Sequence, residues 1–168
     1  MPLQQFDFAD TEPVVGKAVN RRVVPYRFGE IVRVNVTGAF LALEVLIGAI
    51  GDDVTGSTDL ALMLSKHGMS VVQTIGLPPP GAVLREAQAA VVALKIRTAP
   101  TTQAVADSLS ACDWLLAQGA RQIFFKYCST FDSTEKGNIG PVAEALLERL
   151  DGGFTVYCPA FPENGRTV

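Results

Sequence analysis

A three-layer αβα domain built around a parallel sheet is the fold this sequence predicts from residue 45 onward. Three features carry the prediction. Short apolar runs alternate with stretches of helical period, glycines stand where those helices would end, and polar residues collect after the runs rather than within them. Strands separated by helices imply right-handed crossovers and a sheet covered on both faces.

Residues 46–50 form a short apolar run closed by an acidic loop, which suits a buried parallel strand. A helix is expected over 58–67, with Leu60, Ala61 and Leu64 on one face and Gly68 placed to end it. Its last residue, His67, is read as structural, because a partial positive charge there suits the helix dipole. Strands are expected at 70–75 and 89–94. Thr101 can cap a helix running to Gln118, with Val105, Leu109, Trp114 and Leu115 inward and Gly119 ending it. A fourth strand is expected over 122–127. Pro141 stands at a typical first helical position for a helix to Leu150, and 154–158 reads as a fifth strand. Residues 1–44 show apolar fragments broken by prolines and glycines, without a sustained period. They are expected to be an extension separate from the domain at 45–168.

Composition narrows the function. The formal net charge is -3, and the Lys and Arg residues are scattered. A nucleic-acid binder needs a basic stripe, so neither nucleic acid nor an anionic membrane surface is an expected partner. Three cysteines (Cys112, Cys128 and Cys158) without metal-ligand spacing read as reduced thiols of a soluble cytoplasmic protein. The apolar run 36–50 falls short of a membrane span and contains Glu44. No phosphate loop, dinucleotide fingerprint or histidine pair is present, and no metal site is expected.

The polar residues follow the carboxyl ends of the expected strands, the edge where open α/β sheets bind ligands. After the first come Asp52, Asp53, Thr55 and Gly56, leading into a helix start whose N–H groups favour an anion. Either aspartate could instead serve the helix dipole alone. If the strand persisted, alternation would send their side chains to opposite faces, leaving one to reach a ligand. Asp53, nearer the helix start, is the expected ligand-facing carboxylate and proton acceptor, with Asp52 orienting the loop or capping the helix. After the third strand, Lys95 and Arg97 are spaced to share a side and suit a carboxylate, Arg97 through its bidentate fork. After the fourth, 126–134 is dense in hydroxyls suited to a polyol or to plain turn chemistry, and Asn138 continues that loop and is counted with the expected substrate-binding residues. The residues alone lead to a crevice for a small hydroxylated anion.

At these same segments, 47–61, 93–98, 125–134, 137–142 and 158–168, the chain resembles the four-carbon acid sugar kinase family. The run Lys-Tyr-Cys-Ser-Thr-Phe-Asp-Ser-Thr at 126–134, followed by Gly-Asn-Ile-Gly-Pro-Val at 137–142, resembles its branch acting on 3-oxo-tetronates. The resemblance implies phosphorylation of the terminal hydroxyl of a four-carbon sugar acid by ATP. It places Asp52, Asp53, Thr55 and Asp59 in the substrate loop and Lys95 and Arg97 on the carboxylate. Lys126, Ser129, Thr130 and Asp132 would meet the oxo and hydroxyl groups, and Arg166 would close the site. ATP and Mg²⁺ would sit on a following nucleotide-binding domain, which the chain is expected to lack. The expected partners are the sugar acid, a further copy of the chain, or a separately encoded nucleotide-binding domain. Two alternatives stay open: a binding module without turnover, and a haloacid-dehalogenase-type phosphatase. The phosphatase pattern needs its second aspartate two positions after the first, whereas Asp52 and Asp53 are adjacent.

Overall fold

The computed structural model describes residues 31–34 and 45–166, apart from residues 85 and 132. The strands are β1 (Ile31–Val34), β2 (Ile47–Gly51), β3 (Val71–Ile75), β4 (Ala89–Ala93) and β5 (Gln122–Lys126). The helices are α1 (Val54–Lys66), α2 (Thr101–Ala117) and α3 (Ile139–Arg149). The strands form one sheet in the order β1-β3-β4-β2-β5, antiparallel only between β1 and β3.

Both faces of the sheet are covered, as its nearly continuous apolar strands require. Ala49, Val71, Ala89 and Val91 pack with Ala61 of α1, while Ile50, Ala90 and Val92 pack against Ala111, Cys112 and Leu115 of α2 and Val142 of α3. Successive residues of β2 and β4 thus face opposite layers, the period of two that a strand imposes. Gly48 lets α2 approach closely: a methyl group built on it would lie 3.0 Å from the Ala120 Cβ and 3.1 Å from the Leu115 Cβ.

This layering positions the site. Helix α1 follows β2 on one face, and α2 follows the adjacent β4 on the other, so their chains diverge and open a crevice at the carboxyl ends. The register aligns those ends: Gly51 pairs with Ala93 on one side and with Lys126 on the other.

Several elements depart from expectation. Helix α1 begins four residues early, because Asp53 caps it by accepting the Gly56 N–H at 2.6 Å. Helix α2 has Pro100 at its cap, and Thr101 lies inside the helix. Helix α3 starts at Ile139, with Pro141 still in the first turn, where no intrahelical N–H is missed. The expected strand at 154–158 is not one: Phe154 is 82% and Val156 76% exposed, with no ladder partner. Strand propensity reports fit to a half-buried pleated surface, and this segment lies beyond β5 with a groove of about 500 Å³ between them. Conversely, Ile31–Val34 lies ahead of the expected boundary at residue 45 yet pairs with β3. The rest of 1–44 lies outside the described residues.

Candidate functional site

At the end of β2 the chain bends, and Asp52 and Asp53 lie in that bend rather than in a continuing strand. Alternation therefore does not separate them, and both carboxylates meet Arg97. The guanidinium donates from Nε to Asp52 Oδ2 at 3.0 Å and from Nη2 to Asp52 Oδ1 at 2.9 Å. The same Nη2 lies 2.7 Å from Asp53 Oδ2. The Asp52 hydrogen bonds raise the Arg97 pKa above its ordinary value, opposed by burial and reinforced by the two negative charges.

The two aspartates differ in access. The Asp52 side chain is 5% exposed and that of Asp53 29%. Asp52 also ties three loops together through its backbone: its N–H donates to the Lys126 carbonyl, and its carbonyl accepts from the N–H groups of Ile96 and Arg97. Asp53 is held by the helix it caps, and its carbonyl accepts the Ser57 hydroxyl at 2.5 Å. Gly51 must be glycine for this turn to close, since a methyl group there would fall on the buried Ser57 side chain.

Lys126 ends β5 and reaches over the start of α1. A methyl group on Gly56 would lie 3.6 Å from Lys126 Nζ, which donates to the Tyr127 carbonyl at 2.7 Å. Thr55 is exposed on the first turn of α1, and Asp59 is half-buried one turn on. Lys95 is exposed between buried Leu94 and Ile96. Arg166 reaches Ser129 by a hydrogen bond from Nη1 and is held by a backbone bridge to Phe161. Thr130 is exposed, its hydroxyl 2.8 Å from the Cys128 sulfur. Asp132 lies outside the described residues. Asn138 is buried, and its side-chain atoms meet backbone carbonyls and Thr101.

Asp52, Asp53, Gly56, Arg97 and Lys126 are thus gathered on one edge, with Ser129 and Arg166 joined beside them. A pocket of about 30 Å³ lined by Asp52, Arg97, Cys128 and Asn138 has space for one or two water molecules.

Sequence reasoning missed Tyr127 and Ser57. The Tyr127 ring contacts Phe125, Phe131 and Tyr157, with centroids 5.4–6.0 Å apart, and so links β5, its loop and the C-terminal segment. Burial pushes its hydroxyl pKa up, against the lowering effect of a hydrogen bond with the Cys158 backbone. An aromatic at the end of an expected strand is the signal the sequence offered for it.

A family model described as "Sugar-binding N-terminal domain" matches residues 47–168. The chain is 66% identical over 127 residues to a 3-oxo-tetronate kinase of Burkholderia multivorans, covering 76% of this chain and 29% of that protein. It is 64% identical over 135 residues to a 3-oxo-tetronate kinase of Cupriavidus necator, covering 79% and 31%. The crystal structure of a Salmonella typhimurium LT2 protein superposes with a TM-score of 0.71 at 50% identity, covering 74% of this chain and 29% of that one. The chain spans about three tenths of the length of the curated relatives it matches.

Proposed function

This chain belongs to the family of sugar-binding N-terminal domains, and from that premise we propose that it holds a four-carbon sugar acid, a 3-oxo-tetronate, for phosphorylation of its terminal hydroxyl by ATP. The observation that carries the reading is the convergence of the ends of β2, β4 and β5 on Arg97 and its two carboxylates. The relatives' shared name supplies the substrate class.

In this reading the acid lies over Asp53, Gly56 and Lys126. Its carboxylate is met by Arg97 with Lys95, and its oxo and hydroxyl groups by Lys126, Ser129 and Thr130, with Arg166 closing over them. Arg97 already donates to Asp52 through Nε and Nη2, so Nη1 is its remaining fork. Asp53, the more exposed carboxylate, accepts the proton of the terminal hydroxyl; Asp52 holds Arg97 in place. Among the described residues no group of three or more His, Cys, Asp or Glu could hold a metal ion. In this reading the nucleotide and Mg²⁺ are held by the part of the relatives that this chain does not span. The phosphatase alternative asks the first aspartate to attack phosphorus, but Asp52 is buried and bound at both oxygens.

Calorimetry with a 3-oxo-tetronate and its neutral alcohol analogue tests this. The acid binds and the alcohol binds far more weakly, since a charged hydrogen bond is worth roughly 1.5–3 kcal/mol. In a coupled assay with ATP the purified chain gives no turnover, because positioned Mg²⁺ and γ-phosphate are both required. Equal affinity for acid and alcohol removes the carboxylate reading; turnover above an empty-vector preparation removes the division of labour.

A further inference from the structure

Asn138 belongs to the expected ligand set, yet its side chain is spent entirely on the protein. The residue is 7% exposed. Its Nδ2 donates to the Ile96 carbonyl at 2.7 Å and the Ala99 carbonyl at 2.8 Å, with the Arg97 carbonyl at 3.5 Å. Its Oδ1 accepts the Thr101 hydroxyl at 2.9 Å. An amide has two N–H donors, and both are used. The orientation is unambiguous, because nitrogen faces carbonyls and oxygen faces a hydroxyl.

These bonds clamp the segment that carries Arg97. Its N–H is held by the Asp52 carbonyl and its guanidinium by the Asp52 carboxylate. Asn138 fixes the carbonyls on either side of it, from the first residue of α3's cap. Strand β4 ends at Ala93, so no ladder holds residues 96–99. The Asp52 carbonyl takes the N–H groups of Ile96 and Arg97, and the buried Asn138 amide takes the carbonyls of Ile96 and Ala99.

We propose that Asn138 is a positioning residue that sets the Arg97 guanidinium for the acid and does not itself touch the ligand. This rests on the reading of Arg97 as the acid's partner. It makes the Gly-Asn-Ile-Gly-Pro-Val run a device for joining α3 to the β4 loop rather than a ligand loop.

The test follows the Arg97 Nε–H resonance in the uniformly ¹⁵N-labelled chain, with Asn138→Ala and the milder Thr101→Val, which keeps shape and removes only the hydroxyl. In the wild type that proton exchanges slowly and its signal is sharp. In Asn138→Ala it broadens or moves to the position of a free arginine while the β4 amides stay put, and Thr101→Val moves it less. An unmoved signal in a folded variant overturns the proposal. If Asn138→Ala does not fold, Thr101→Val alone decides by the same criterion. Affinity for the 3-oxo-tetronate gives a second readout. Asn138→Ala weakens it about tenfold in the wild-type background and by less than about twofold in an Arg97→Ala background, since residues acting as one unit are not additive. An equal loss in both backgrounds would show direct contact and overturn it. A wild-type chain that does not bind the acid defeats the site reading, while the Nε signal still decides the positioning.

Discussion

Asp52 carries a buried carboxylate whose charge is answered, among the described residues, by Arg97. Removing the guanidinium leaves that charge uncompensated, the costly half of breaking a buried pair. Arg97→Ala is therefore expected to lose roughly 3 kcal/mol in urea unfolding, the low end for such pairs, because a third of the arginine side chain is exposed. Asp52→Asn in the same chain recovers much of the loss; no recovery would place the damage in packing instead. This coupling also means that a weakened acid affinity in Arg97→Ala has meaning only after its folding has been measured. A second expectation concerns thiols. Cys112 is buried and its pKa is raised, first by that burial, whereas Cys158 is exposed and Cys128 half-buried. Ellman titration is expected to label Cys158 first and Cys112 only on unfolding. Early labelling of Cys112 would contradict the packing of α2 on the sheet.

At the scale of elements, the parallel core was legible because its periods were clean. Ala89–Ala93 is buried throughout and reads as an unbroken apolar run, and Gly68 and Gly119, with φ of 94° and 91°, end the stretches they follow. What failed were elements whose existence depends on a partner elsewhere. Strand β1 has only four residues and draws its ladder from β3, some forty positions away. Residues 154–158 have strand propensity but no ladder and nothing packed over Phe154 and Val156. Hydrogen exchange is expected to separate these cases: amides of 154–158 exchange quickly, those of β4 near the global limit. Protection of 154–158 comparable to β4 would show that the segment pairs after all. The packing of α2 offers a companion measurement. Leu115 is fully buried between α2 and the sheet, and Leu115→Ala is expected to cost about 2–5 kcal/mol in unfolding free energy; a loss under about 1 kcal/mol would mean that this layer is not a packed core.

For the molecule as a whole, the sequence pointed to the edge where these polar residues gather but not to the bonds between them. Polar residues after the strands now numbered β2, β4 and β5 marked the edge, and the aligned register of those strands brings them level. The bonds that organise the edge join residues 45 positions apart for Asp52 with Arg97 and 37 apart for Thr101 with Asn138. No local period encodes such pairs. Hence Asn138 reads from sequence as a loop residue and from structure as a clamp, and Asp52 and Asp53 read as divided by alternation though both meet one guanidinium. The larger cavity, the groove along β5, adjoins this edge: it shares Lys126 and Ser129 with it and is otherwise lined by residues that include Phe124, Tyr127, Val156 and Tyr157. Away from those two residues its walls are largely apolar and aromatic, whereas Asp52, Asp53 and Arg97 offer charge, so the two parts make different demands on a ligand. A titration of the ¹⁵N-labelled chain with a 3-oxo-tetronate, followed amide by amide, separates them directly. The predicted result is saturable shifts confined to residues 52–56, 95–98 and 126–130 and to the Arg97 Nε–H. An absence of shifts, or shifts centred on Phe124 and residues 155–158, would contradict the assignment of the acid to the Arg97 edge.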